Sequence, residues 1–105
     1  MKPTKELFER MLPGDFVTVK TLGQMIDSGW VFDTNWGLLT HYRDWAAVSP
    51  ELMCEQIGQM CRIKKICINP LTDEMYFILE EDEFELPFTY EMMKELYPLV
   101  RGYYK

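Results

Sequence analysis

The sequence predicts an α+β domain, a small and sharply bent β-barrel with short flanking helices. Three observations predict it. The stretch 59–88 reads as three consecutive strands. A β-branched run, DFVTVK at 15–20, supplies an earlier strand with one apolar face. The helical patterns between and around these strands are too short to be stable alone, so they must dock on the sheet. A chain of 105 residues reads as a single domain, 1–105. At that size it buries roughly 65% of the surface its unfolded form exposes.

The elements follow in order. Residues 1–13 hold an N-terminal helix. Thr4 is its N-cap, and Leu7, Phe8 and Met11 share a face before Pro13 and Gly14 end it. The entry strand spans 14–20. Thr21 then caps one or two helical turns, with Gly23 weakening them. An aromatic insertion at 28–48 holds all three tryptophans, Trp30, Trp36 and Trp45, with Phe32 and Tyr42. The run from Asp33 to Gly37 marks a turn, and 36–45 reads either as helix or as packed loop. Ser49, Pro50 and Glu51 open a helix that Gly58 stops, with Leu52, Met53 and Ile57 facing inward.

In the meander, Cys61, Ile63, Ile66 and Ile68 change phase at Lys64 and Lys65, which predicts a β-bulge. The near-continuous apolar run 75–79 predicts a central strand. Phe84, Leu86 and Phe88 alternate with Glu85 and Pro87 as a third, half-exposed strand, whose end Pro87 places at an edge. A helical turn at 89–97, capped by Thr89, closes the domain before a short tail. Five short strands at most suit an SH3-like barrel better than a sandwich.

The net charge of -6 argues against direct binding of nucleic acid through its phosphates. It suits contact with a protein that carries a basic groove. Charges run through the N-terminal residues where a secretory core would lie, and no stretch is apolar for long enough to span a membrane. Cys54, Cys61 and Cys67, odd in number and among apolar neighbours, read as reduced and buried thiols in a cytoplasmic protein.

The opening PGDFVTVKT, the middle ELMCEQIGQMCRIKKI and the close MYFILEEDEFELPFTYEMMKEL together resemble small SH3-like barrel proteins carried by phages and prophages of Gram-positive bacteria. Gly14, Asp15, Val17, Thr18 and Val19 match the opening strand of that pattern. Met53, Gly58, Cys61 and Ile63 match its middle. Phe88, Glu91, Met92 and Met93 match its close, with Phe88 standing where the family usually has tryptophan. The resemblance covers about two thirds of the chain. It implies a fold and a mobile-element origin. It implies no activity. The N-terminal helix, the aromatic insertion and the tail after Tyr97 depart from the pattern, so a special task would sit there.

The sharpest chemical feature is the acidic run Glu80, Glu81, Asp82, Glu83 and Glu85. One reading is a phosphate mimic that docks in an arginine-rich groove, gaining on-rate by steering. The other is a solvated hairpin tip that discourages aggregation at a sheet edge. The spacing does not fit a calcium loop, and a solvated turn does not provide the separated carboxylate pair of a glycosidase. Trp36, Tyr42 and Trp45, with Arg43 nearby, read either as lid packing or as anchors for a partner. Arg62, Lys64 and Lys65 form the basic cluster of a strand face. A lone His41 and cysteines without a C-x-x-C pair argue against zinc, and no glycine-rich phosphate loop occurs.

The reading is therefore non-enzymatic, with no cofactor and no metal. The expected partner is a host nucleic-acid-binding or defence protein, a CRISPR effector among them, which this chain inhibits. The alternative is an accessory domain that forms a homodimer through an edge strand or the aromatic segment.

Overall fold

A computed structural model describes residues 1–99 of the chain. It has two short α-helices and antiparallel β-sheets, an α+β arrangement. Helix α1 is Lys5–Arg10, and Thr4 caps it by accepting from the Leu7 amide at 3.1 Å. Phe8 leaves this helix inward and stacks on Phe77, with ring centres 4.3 Å apart. Strand β1, Phe16–Val19, buries Val17 and Val19 and turns Phe16 and Thr18 outward, as alternation requires. Helix α2, Leu22–Asp27, opens on a reciprocal capping box between Thr21 and Gln24.

The main sheet has the order β5-β4-β1-β6. Strand β4 is Met60–Ile68, β5 is Met75–Leu79 and β6 is Met93–Tyr97. Val17 faces Cys61 on one side and Leu96 on the other, so three strands contribute to one buried row. The β4–β5 register shifts between Ile63 and Lys65, at the predicted bulge. The bulge lets Ile63 stay in the core while the two lysines remain in water. Phe8, Met25, Trp30, Leu39, Met53, Phe88 and Met92 complete one continuous core.

Five elements differ from the expectation. The segment 36–45 is not a helix: its first half belongs to a hairpin, and 41–45 runs as a loop, as the second alternative had it. Strand β2, Val31–Asp33, pairs with β3, Leu38–Thr40, as a hairpin, and Gly37 closes the turn by donating to the Asp33 carbonyl. Residues 49–57 wind through successive turns instead of a regular helix. Ser49 does cap, accepting from the Leu52 amide, and Met53 points inward, but Leu52 points out and Gln56 goes in. Gly58 ends the segment at φ +77, donating to the Val19 and Lys20 carbonyls.

The third strand expected at 84–88 is reduced to a single bridge, Phe77 to Phe88. Asp82 draws the amides of Phe84 and Leu86 to its own carboxylate, Glu85 adopts φ +53, and Pro87 has no N–H to give. The helical turn expected at 89–97 is a 3-10 turn, Tyr90–Met92, followed by β6. Met93 and Leu96 are both buried there, because β6 pairs along β1 across a register shift. Strand β5 is not central; it ends the ladder. Its apolar run is explained by α1 above it and the Phe88 bridge beside it. The other outer strand, β6, is covered by the chain start, where Met1 and Leu96 exchange two hydrogen bonds of 2.9 Å. Positions 100–105 of the expected tail lie outside the described residues. No helix among the described residues is long and apolar enough to cross a membrane.

Candidate protein-interaction site

The acidic run sits on the turn that leaves β5. Its five acids do not share one role. Asp82 is only 3% exposed, and its two oxygens accept from the Phe84 amide at 3.0 Å and the Leu86 amide at 2.8 Å. It braces the turn and does not present its charge outward, unlike the solvated charge expected of it. Glu80, Glu81, Glu83 and Glu85 are exposed around it. Three of these face the basic cluster of β4. Glu80 lies 3.8 Å from the Arg62 guanidinium, Glu81 accepts from the Arg62 amide at 3.0 Å, and Glu85 accepts from Lys64 at 2.6 Å. The Lys64 bond pulls the Glu85 carboxyl below its ordinary range and raises Lys64 in turn. Both groups are in solvent, so a cation from a partner can compete for Glu85. The basic cluster thus lessens the mutual repulsion of the turn, a job the strand pattern alone did not reveal.

A groove of about 250 Å³ opens between this turn and the segment 51–56. Among the described residues, Glu51, Glu55, Glu81 and Glu83 line it, with Phe84 and Gln56, and no cation does. Gln56 is 2% exposed. Its Nε2 donates to the Glu81 carbonyl at 2.8 Å, which assigns the amide orientation and ties the two walls together. Its Oε1 has no hydrogen-bond partner among the described residues. A buried acceptor left unpaired in this way costs about 1–3 kcal/mol. Sequence reading missed this wall. The spacing of Glu51 and Glu55 was the available signal, since residues four apart share a face of a helical turn.

The aromatic segment divides by direction. Trp30 is 1% exposed, and its indole N–H donates to the Glu91 carbonyl at 3.2 Å. Trp36, at the hairpin turn, is 77% exposed, and Tyr42 is 82% exposed. Trp45 is 36% exposed and set edge-on against Tyr76. Val31 and Phe32 of β2 add exposed apolar surface beside Trp36. Trp45 meets β5 near its start at Tyr76, whereas the acidic turn leaves its end at Leu79. Trp45 and the acidic turn are therefore attached at opposite ends of one strand.

His41 is buried beneath the hairpin. The Arg43 amide donates to Nδ1 at 3.0 Å, so the proton lies on Nε2 and is given to the Ser28 carbonyl, also at 3.0 Å. Gly29 makes room for it: a Cβ there would come within 3.0 Å of Nε2, and the backbone sits at φ +107. With both ring nitrogens engaged, His41 has neither a lone pair for a metal nor a free position for a substrate proton. Lys20 is half-buried. Burial lowers its pKa, partly offset by Glu91, and its ammonium donates to Ser28 Oγ and the Glu91 carbonyl. Of the cysteines, Cys61 is buried and Cys67 half-buried, but Cys54 is exposed, contrary to expectation. Among the described residues no group of three acidic, histidine or cysteine side chains could hold a metal ion.

Comparison with known proteins finds no matching family model, no matching curated protein and no matching solved structure.

Proposed function

We propose that this protein is a non-enzymatic interaction module that sets a braced acidic face against a basic groove of a partner protein. One observation carries the reading. Four exposed glutamates, Glu80, Glu81, Glu83 and Glu85, stand on a turn whose own buried carboxylate, Asp82, fixes its shape. A turn needed only for solubility gains nothing from being held in one geometry. A docking surface does, because the ordering cost is met before binding. The resemblance to phage and prophage proteins supplies the setting, which is a host cytoplasm. The partner is a nucleic-acid-binding or defence enzyme whose basic groove the face blocks. The SH3-like barrel belongs to the same proposal. It is supported by β1 lying between β4 and the last strand, and by the bulge that bends β4, both of which curl a short sheet.

The test is capture from a nuclease-treated lysate of a Gram-positive host. Wild type is compared with the combined variant Glu81→Lys and Glu83→Lys, which leaves Asp82 in place. A basic-grooved protein retained by wild type alone, with affinity that falls as salt rises, supports the reading. Equal retention by both proteins removes the acidic face from the site.

A second reading is favoured by the exposed Val31 and Phe32 on β2 and Trp36 at the hairpin turn. Since β5 and β6 are covered at their outer edges, self-association would use this hairpin. Sedimentation of Trp36→Ser against wild type checks it: a concentration-dependent dimer lost in the variant supports it.

A further inference from the structure

We propose that the groove between 51–56 and 81–84 receives an arginine side chain of the partner, with Gln56 Oε1 accepting from its guanidinium. The inference rests on the docking reading above and names what that face recognises. Four glutamates line the groove from both walls, without a lining cation among the described residues. A cationic group is the ligand that this arrangement attracts most strongly. The carboxylates do not converge tightly enough for a metal ion, so the charge must arrive on something broader. The unpaired Gln56 Oε1 requires a donor, not simply a charge. Phe84 at the rim is 55% exposed and offers a ring face.

A guanidinium meets all three demands at once. It is flat, carries five N–H donors in a fixed fork, pairs with carboxylates side-on and stacks on aromatic rings. A lysine ammonium meets the charge but not the stacking or the fork. Burial first, and then Glu81 and Asp82, push the nearby Cys61 thiol up to about 12. The remaining exposed acids, Glu80 and Glu85, face Arg62 and Lys64 and lie outside the groove lining.

The experiment uses two capped pentapeptides of equal charge, Gly-Lys-Arg-Lys-Gly and Gly-Lys-Lys-Lys-Gly, titrated into the full chain at low salt. Nuclear magnetic resonance follows the Gln56 side-chain amide, and calorimetry gives the affinity. The arginine peptide is expected to bind about tenfold more tightly than the lysine peptide, for one added charge-assisted hydrogen bond and a ring contact. It alone should shift the Gln56 amide signal. Glu51→Gln with Glu55→Gln should lower its affinity about tenfold, while Glu80→Gln with Glu85→Gln, the same loss of charge, should lower it less than twofold. Equal losses from both pairs overturn the groove but leave the acidic face as the docking surface. Equal binding of both peptides overturns the guanidinium preference. No binding of either peptide, or no loss from either pair, overturns the groove and the acidic-face reading together.

Discussion

The acidic turn at 80–86 and the aromatic segment at 28–48 look unlike in sequence, yet they are built alike. Each sends some of its residues inward as anchors and leaves residues of the same type outside. In the turn the anchor is Asp82, and Glu80, Glu81, Glu83 and Glu85 stay in water. In the aromatic segment the anchors are Trp30 and His41, and Trp36 and Tyr42 stay in water. A run of like residues is therefore not a surface in itself. One member fixes the backbone, and the others become presentable because it does.

The comparison breaks most visibly at the tryptophans. Trp30→Ala removes a fully buried ring and leaves the Glu91 carbonyl without its indole donor. Its expected cost is about 3–5 kcal/mol in urea unfolding, the range for large aromatic truncations. Trp36→Ala should change stability by less than about 0.5 kcal/mol, as an exposed site with no core contact. If the Trp36 variant unfolds as easily as the Trp30 variant, the hairpin is part of the core and offers no free anchor.

The acidic turn sharpens the same contrast with a smaller effect. Asp82→Ala leaves the Phe84 and Leu86 amides without their acceptor and should cost about 2–3 kcal/mol. It should also weaken protection of those amides from hydrogen exchange. Glu83→Ala should stay within about 0.5 kcal/mol of wild type. Similar values for the two would mean that the turn keeps its shape without Asp82, and that the exposed glutamates are not held in a fixed array.

What could be read from the sequence follows this division. Caps and local periodicity were legible: Thr4, Thr21, the alternation of β1 and the bulge at Lys64 all lie where nearest-neighbour rules put them. Strand partners were not. Strand β6 was hidden because MKELY carries helix formers, and only pairing with β1, more than seventy residues away, makes it extended. The strand expected at 84–88 failed for the opposite reason. Its alternation was present, but the Asp82 carboxylate took two amides that a ladder would need. At the candidate site, the exposed acids were legible as a run, whereas the inward turn of Asp82 and the Gln56 wall depend on contacts across the fold. Charge and hydropathy indicate which residues can be outside. They do not say which one of several acids has backbone amides within reach.

The finest test compares the two regions by the sign of their pH response. The aromatic segment has its own inward acid, Asp44, which accepts from the Ala46 amide at 3.0 Å and from the Thr89 hydroxyl. Burial nonetheless raises its carboxyl above the ordinary 3.8, outweighing those two bonds, with Glu74 and Glu91 adding to the rise. A carboxyl that holds its proton more tightly when folded contributes stability that is complete below 3.8 and is lost as pH rises through the folded value. Glu85 behaves oppositely. Lys64 lowers it, so its contribution is present above the ordinary 4.5 and is lost as pH falls through the folded value. Urea midpoints of Asp44→Asn and Glu85→Gln, each set against wild type from about pH 3 to pH 7, should therefore diverge. The Asp44 variant should gain on wild type as pH rises, and the Glu85 variant should fall behind, by less because its ion pair is in water. Parallel lines would mean that the Thr89 and Ala46 bonds offset the burial of Asp44, and that both regions treat their carboxylates as satisfied acceptors.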